Sequence, residues 1–345
     1  LQSVGEKIIG GGKGRADVEA QYGGALDGSE IQCTRAAAQR AEQAKATAQK
    51  RMMIAKIRAN DAVTAAYANA KSKALELLKP KLANQSLRVA EYLRIGEFQI
   101  DGADSGYNGD LHLPMIVPFL GHSNIVVLGG NQSADSFIRT VIASSLQNTE
   151  PNQLQLIAYD PGLKNPLAPF SVLGEEDRDQ VRTVQTAEDL DNVLDECRET
   201  VQRVGNMMMG ASGTLVDYRA RSGMPVEQYT LVTLFDYPGE LREDQHNRLL
   251  KLISEAPRYG ISFIIRIADP AGLPKCCSLD EMKSLGASVD LSHREQTWSG
   301  SDTYPIRLDG MGASAAAKIA GEVSSSAHDL RLPIVDFEDI QPKHD

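Results

Sequence analysis

The sequence predicts an α/β fold, a mostly parallel sheet with helices on both faces, preceded by a long, Ala-rich, basic helical arm. From about residue 108 onward, short apolar runs alternate with helical patterns, which is typical of parallel sheets. Residues 32–79 contain neither Gly nor Pro and are dominated by Ala, the residue that favours helices most. With 345 residues, the chain is long enough for one large domain plus this appendage.

Composition excludes several classes of protein. The chain has 36 Lys and Arg residues against 46 Asp and Glu residues, so a basic nucleic-acid footprint over the whole surface is excluded, although a local basic segment is not. Its four Cys residues lack metal-ligand spacing, and we expect neither a zinc site nor disulfides, which fits a reducing cytoplasm. We expect no membrane span and no secretion signal, because no apolar run reaches eighteen residues and no charged-then-apolar leader opens the chain.

The pattern divides the chain into four segments. Residues 1–31 are Gly-rich and polar, which is typical of a flexible segment. Residues 32–107 are expected to form the helical arm and a connector, with Pro80 ending or kinking a helix of roughly 70 Å. Residues 108–330 carry the α/β pattern, and residues 331–345 a linker towards a further domain. Because residue 1 is Leu rather than Met, we expect the chain to be a fragment of a longer protein.

The arm is strongly basic. Residues 33–82 contain eleven Lys or Arg residues and three acidic residues. One interpretation is salt-dependent phosphate contact with double-stranded DNA; the other is a solvated helix face or an Ala-rich coiled-coil seam. The candidate nucleic-acid contacts are Arg35, Arg40, Lys45, Lys50, Arg51, Lys56 and Arg58. Larger apolar residues begin at Met52, so we expect the arm to be anchored by its C-terminal half.

Five apolar runs are predicted to be strands of the buried parallel type: Asn124–Gly129, Leu154–Tyr159, Thr230–Phe235, Ile261–Ile267 and Pro305–Leu308. Four helices are predicted at Asp135–Gln147, Thr186–Arg203, Leu241–Ala256 and Ala313–Ser326. Parallel sheets bind ligands at the C-terminal ends of their strands. The turns after Gly129 and Phe235 are therefore where chemistry is expected.

The turn after the first strand has the outline of a phosphate-binding loop. Its residues are Gly129, Gly130, Asn131, Gln132, Ser133, Ala134, Asp135 and Ser136. Compared with the pattern G-x-x-x-x-G-K-[ST], Gly129 and Ser136 are in place, Ala134 replaces the second Gly, and Asp135 replaces the Lys that neutralises phosphate. Exchanging attraction for repulsion at a few Å changes the interaction by several kcal/mol, enough to abolish ordinary ATP affinity.

The strand ending at Asp236 has the form of one that presents a magnesium ligand. The next residue, where a glutamate would activate water, is Tyr237, whose phenol is a poor base at neutral pH.

These landmarks, in this order, resemble the FtsK/SpoIIIE/HerA-like family of P-loop ATPases. The supporting segments are Leu111–Pro114, Pro118–Gly121, Leu156–Gly162, Glu199 with Arg203, Leu215–Tyr218 and Gly260–Pro270. The resemblance implies a RecA-like P-loop fold, with Ala268 at the position of a sensor glutamine and Arg258 near that of an arginine contacting a neighbouring subunit. Residues 332–342 resemble the connector that leads to another motor domain in tandem members.

Four positions depart from the family pattern within this frame: the loop lysine, the second loop glycine, the catalytic glutamate and the sensor glutamine. The departures imply a degenerate module without catalytic residues or metal, for which no cofactor is expected and ATP with Mg²⁺ is disfavoured. We expect a scaffold or regulatory part of a DNA-associated translocase or defence ATPase, working in a homo- or hetero-oligomer. The alternatives are a peptide-binding module of a type VII secretion-like ATPase, or an ATPase with unconventional phosphate contacts that keeps only Ser136 and Asp236 as standard parts.

Overall fold

The computed structural model describes residues 14–79, 87–100, 109–174, 180–209, 213–293, 297–298 and 306–329. Within these, residues 14–65 form one compact unit and residues 66–329 form another. Residues 1–13 of the predicted flexible segment and the whole predicted linker 331–345 lie outside the described residues.

The first unit consists of most of a single helix, α1 (Gly14–Leu77). Its 64 residues correspond to about 95 Å at about 1.5 Å per residue. The prediction that residues 1–31 are flexible was wrong for residues 14–31, which are helical. Once a helix is nucleated, each further residue costs little, and the Ala-rich segment that follows supplies that nucleus.

The second unit contains two sheets. Its strands are β1 (Tyr92–Ile100), β2 (Leu111–Pro118), β3 (Ile125–Leu128), β4 (Leu154–Tyr159), β5 (Val181–Val184), β6 (Tyr229–Tyr237), β7 (Ile261–Ile267), β8 (Ala287–Asp290), β9 (Thr297–Trp298) and β10 (Ile306–Leu308). Its helices are α2 (Gln132–Asn148), α3 (Ala187–Met207), α4 (Leu215–Ser222), α5 (Glu243–Glu255), α6 (Leu279–Ser284) and α7 (Ala313–Asp329).

The larger sheet has the strand order β5-β4-β6-β7-β3-β8-β9. All neighbours pair in parallel except β8 and β9, so six parallel strands are present and the predicted parallel α/β architecture is confirmed. Both central strands β3 and β7 are buried along their whole length. Their burial explains the continuous apolar runs in the sequence.

Alternate residues of β3 point into two hydrophobic cores, one on each face of the sheet. Ile125 and Val127 pack in the core that contains residues of α2 and α7. Val126 and Leu128 pack in the other core, which contains residues of α3 and α5. This arrangement places the start of α2 at the C-terminal edge of β3, where the phosphate-loop pattern was found.

The smaller sheet is antiparallel, with the order β10-β1-β2. The prediction that Pro305–Leu308 is a parallel strand was therefore wrong. Residues 306–308 of this run form β10 and pair with residues 96–98 of β1. A side chain at Gly96 would collide with the Arg307 carbonyl. Strand β1 also places the start of the sheet-forming region before residue 108, the boundary expected from the sequence.

Candidate functional site at the β3–α2 loop

The β3–α2 loop has the compact backbone that its sequence predicts. Gly129 has a φ of +127°, and a Cβ there would lie 3.0 Å from the backbone of Leu291. A Cβ added to Gly130 would lie 3.2 Å from the Cβ of Ala268. The two glycines therefore let the loop approach the ends of β7 and β8, and the proposed sensor position does face this loop.

Asn131 fixes the start of α2. Its side-chain Oδ1 accepts a hydrogen bond from the backbone N–H of Ala134 at 3.0 Å, as expected of an N-cap residue. Its Nδ2 donates to the carbonyl of Leu291 at 2.6 Å. One backbone donor of the first helical turn is therefore satisfied by the protein itself, although such donors are what bind anions at helix N-termini. Gln132 and Ser133 are exposed, whereas Ala134, in the first turn of α2, is buried.

Asp135 is paired with a buried arginine from the sheet. Arg266 of β7 is 1% exposed, and its Nη2 lies 3.2 Å from Oδ1 of Asp135. The Arg266 Nε donates to the Gly129 carbonyl at 3.1 Å, and its guanidinium lies 4.6 Å from the ring centroid of Phe235. Asp135 also lies in the first turn of α2, where the helix dipole favours a negative charge. Asp135, which has no evident counter-charge in the sequence, is therefore paired with Arg266 in the folded protein.

Asp236 belongs to the same cluster. Its Oδ1 accepts a hydrogen bond from Nζ of Lys164 at 2.9 Å and lies 3.8 Å from Nη1 of Arg266. A Cβ at Gly162 would lie 2.6 Å from the other carboxylate oxygen. We call Asp135, Arg266, Asp236 and Lys164 the four-charge cluster; it contains two acids and two bases.

Two atoms of the cluster lack aligned hydrogen bonds. Oδ1 of Asp135 and Nη1 of Arg266 are buried, and neither has a hydrogen-bond partner among the described residues. The 3.2 Å contact between Asp135 and Arg266 is therefore an ion pair whose angles are poor for a hydrogen bond. Charge, rather than geometry, holds this side of the cluster together.

Ser136 lines a neighbouring cleft. Its Oγ accepts a hydrogen bond from Nη2 of Arg139 at 3.1 Å, and its carbonyl accepts one from the N–H of Met311 at 3.1 Å. The open cleft beside it has a volume of about 340 Å³ and is lined by Gln132, Ser133, Ser136, Phe137, Leu291 and residues 308–312.

Tyr237 does not face the loop. Its side chain is 2% exposed and packs in the core on the other face of the sheet, with Leu128 and Leu249. Its hydroxyl lies 3.1 Å from Nδ1 of His246. Burial raises the pKa of Tyr237 and lowers the pKa of His246, so both groups are neutral near pH 7 and share one hydrogen bond. Its placement in the pocket on sequence grounds was wrong, because the side chain points to the opposite face.

The other candidates lie apart from this site. Arg258 is exposed in the 3₁₀ turn before β7, at the opposite edge of the sheet from Ala268, and its guanidinium lies over the ring of Tyr259. The seven basic candidates of the arm are all exposed. Met52, Met53, Ile54 and Ile57 are also exposed, contrary to the expectation that this half of the arm is anchored by burying them. Further along α1, the Tyr67 hydroxyl donates to the His112 carbonyl at 2.8 Å.

Two residues of the four-charge cluster were not identified from the sequence. Arg266 is the only charged residue in the apolar run Ile261–Ile267, and a charge inside a buried strand must find a partner. Lys164 lies two residues after Gly162, in the turn that follows β4 at the C-terminal edge of the sheet. Both basic residues are visible in the sequence, but the sequence does not show which acidic residue each one contacts.

The described residues contain neither a candidate metal site nor a candidate membrane-spanning helix. No group of three or more His, Cys, Asp or Glu residues there is arranged to hold a metal ion. No helix in the same residues is long and apolar enough to cross a membrane. All four Cys residues are free thiols.

Comparisons with known proteins give structural but not sequence matches. No protein-family model matches the sequence, and no curated protein matches it significantly. Among solved structures, EssC (ATPases 2 and 3) from Geobacillus thermodenitrificans is 14% identical with a TM-score of 0.54, covering 74% of this chain and 53% of that one. EccC (ATPases 2 and 3) from Thermomonospora curvata, solved with a signal sequence peptide, is 13% identical with a TM-score of 0.55, covering 70% and 48%.

A third structure, the cytoplasmic domain of EssC, is 16% identical with a TM-score of 0.50, covering 71% of this chain and 51% of that one. The chain thus spans about half the length of these structures. At such low identity the likeness shows the fold alone: a RecA-like P-loop ATPase fold, as the sequence predicts, whose structural neighbours are FtsK/SpoIIIE-like ATPases.

The four-charge cluster predicts energetic coupling between Asp135 and Arg266. Asp135→Ala should lower the free energy of unfolding by roughly 1–3 kcal/mol, because it leaves a buried guanidinium without its closest carboxylate. Arg266→Met should also lower the free energy of unfolding. The loss in the double variant should be smaller than the sum of the two single losses by about 1–3 kcal/mol. Denaturant unfolding of the four proteins measures this coupling.

The exposed pair Arg182–Glu196, 2.7 Å apart, provides the matched control. Its coupling should stay below about 1 kcal/mol, as is usual for surface pairs. Additive effects of the Asp135 and Arg266 substitutions would show that the cluster is not an energetic unit.

Proposed function

We propose that the chain is a non-hydrolysing module of the FtsK/SpoIIIE type, acting as a scaffold or regulatory part of a DNA-associated translocase or defence ATPase. The observation that carries the proposal is the four-charge cluster. The position of the phosphate-binding lysine holds a carboxylate, and the nearby cation, Arg266, is buried and already contacts Asp135 and the Gly129 carbonyl. A phosphate entering the loop would meet the carboxylate first.

Magnesium binding is disfavoured for a related reason. Asp236 is the only standard magnesium-holding carboxylate in the frame, and its Oδ1 is bonded to Lys164. A cation would have to displace this ammonium group and approach a guanidinium 3.8 Å away. We infer that ATP hydrolysis, where the assembly performs it, takes place in a further motor domain or subunit. The matched EssC and EccC structures contain two ATPases each, which supports such an arrangement.

The nucleotide part of the proposal predicts no specific ATP binding. Calorimetric titration with Mg-ATP should give no binding tighter than about 100 μM, since the repulsion at Asp135 offsets the backbone contacts of the loop. Phosphate release should be the same for the wild type and for Asp236→Asn, which removes the standard magnesium-holding carboxylate. Tighter binding, or hydrolysis that Asp236→Asn abolishes, would instead support an ATPase with unconventional phosphate contacts.

DNA as the partner is supported by the charge of the arm. Filter binding of duplex DNA across a range of salt concentrations should show a steep loss of affinity. Substituting Lys50, Arg51, Lys56 and Arg58 by Gln should weaken binding and reduce the salt slope by up to about 4, roughly 0.9 for each lost phosphate contact. The control replaces the same number of exposed cations on the α/β unit, Arg198, Lys251, Lys275 and Lys318, and should leave the slope unchanged. Salt-insensitive or absent binding would contradict the DNA part.

The second candidate is a peptide-binding module, favoured by one observation: a structure with this fold was solved with a signal sequence peptide. If the loop region receives a peptide, a fluorescent type VII secretion signal peptide should bind the chain. Binding should fall at least tenfold in Asp135→Arg with Lys164→Glu, because both exchanges reverse charges at the site. The Arg182→Gln variant should bind normally. Equal binding by all three proteins would remove this candidate.

A further inference from the structure

The middle of the arm carries exposed apolar side chains that neither proposed function uses. Met53, Ile54 and Ile57 are 66%, 42% and 52% exposed, and Met52 is 60% exposed. Burying apolar side chains of this size against a partner is favourable, and leaving them in water forgoes that contribution. Phosphate contact requires no apolar groups, so the charge of the arm does not account for these residues.

Three of these residues form one patch on the helix. Met53 and Ile57 are four positions apart, and Ile54 is three positions from Ile57, spacings that place side chains side by side on a helix surface. Four basic residues lie beside this patch at the same spacings, and one acidic residue, Asp61, follows Ile57 by four positions. Lys50 precedes Met53 by three positions, Arg51 precedes Ile54 by three, Lys56 follows Met53 by three, and Arg58 follows Ile54 by four.

Charge decides which partner suits this patch. A second copy of the arm, centred on the same patch, would bring basic rims together, which is unfavourable. A DNA duplex would pair its phosphates with the basic residues but would leave the apolar side chains of the patch in water. An amphipathic helix with Asp and Glu beside its apolar face satisfies both.

We propose that residues 50–58 are a docking site for an acidic amphipathic helix of a partner protein. Met53, Ile54 and Ile57 form the apolar centre, and the partner's carboxylates pair with Lys50, Arg51, Lys56 and Arg58. The site lies within the unit of residues 14–65 and goes beyond the proposed function of the nucleotide-binding fold. It shares its cations with the proposed DNA contact, so helix and DNA binding compete.

The test uses the full chain and a designed probe: a labelled 21-residue helical peptide with Leu at heptad positions a and d and Glu at e and g. A scrambled peptide of the same composition is the control ligand. Fluorescence anisotropy should show that the chain binds the amphipathic peptide at least tenfold more tightly than the scrambled one. Duplex DNA should displace the bound peptide, because both use the same cations.

Variants separate the apolar centre from the charge. Met53→Gln, Ile54→Gln and Ile57→Gln together should weaken peptide binding at least tenfold and leave DNA binding within twofold; Gln is chosen because it keeps helix propensity. The matched control replaces three other exposed apolar residues of α1, Ile31, Leu75 and Leu77, by Gln and should bind the peptide within twofold of the wild type. Circular dichroism verifies that both variants remain helical.

Any one of four results would overturn the proposal. The first is equal binding of the ordered and scrambled peptides, which would reduce the interaction to charge. The second is a peptide affinity that the three apolar substitutions leave unchanged. The third is a concentration-dependent dimer in sedimentation that these substitutions dissociate, which would make a second copy the occupant. If DNA binds and the peptide does not, the docking site is rejected while the DNA contact stands.

Discussion

The buried guanidinium of Arg266 is the constraint on which the candidate site depends. A charge that is 1% exposed in a central strand is costly unless it is paired and hydrogen-bonded. Strand β7 lies between β6 and β3, so the ends of both neighbours are within reach of Arg266. Strand β6 supplies Asp236, the turn after β3 supplies the Gly129 carbonyl, and the first turn of α2 supplies Asp135. The strand order therefore lets one cation contact both halves of the outline that a P-loop fold uses for phosphate and metal.

This arrangement gives the acid at position 135 a physical role. In the usual pattern a lysine of the loop points towards phosphate; here the cation comes from the sheet and the loop supplies the anion. The loop backbone does not depend on which side supplies the positive charge. Its shape follows from Gly129, which needs a positive φ, and from Asn131, which caps α2 and bonds to the Leu291 carbonyl. The loop therefore keeps a defined backbone with a carboxylate, rather than a lysine, at position 135.

The sequence predicted those parts of the fold that leave a local pattern. Strands β4 and β7 begin and end where their apolar runs do, because both are buried on two faces. Strands β5 and β8 were not predicted: each has four residues, and polar side chains interrupt them. The antiparallel pairing of β10 could not be derived, since its partner β1 lies more than 200 residues earlier in the chain.

The same distinction between local and non-local information applies to the site. The loop from Gly129 to Ser136 was identified because its residues are consecutive. The bond from Arg266 to the Gly129 carbonyl joins residues 137 positions apart, and that from Lys164 to Asp236 spans 72. Tyr237 packs in the opposite core from Phe235, two residues earlier, because strand β6 has a register irregularity between Leu234 and Tyr237 that no local sequence pattern predicts. Position in a motif thus located the loop, but only the packed sheet determined which charges meet there.

Charge is also distributed unevenly between the arm and the rest of the chain. Residues 33–82 have eleven basic and three acidic residues, which leaves 25 basic and 43 acidic residues elsewhere. At physiological salt, fields from exposed charges are largely screened beyond about 8 Å, so exposed residues of the arm respond to what contacts them rather than to distant acids. The Ala-rich composition favours the helix without tertiary packing, and this leaves the exposed side chains of residues 50–58 free to serve binding. Partner binding by the arm and the charge balance of the loop are therefore separable by substitution.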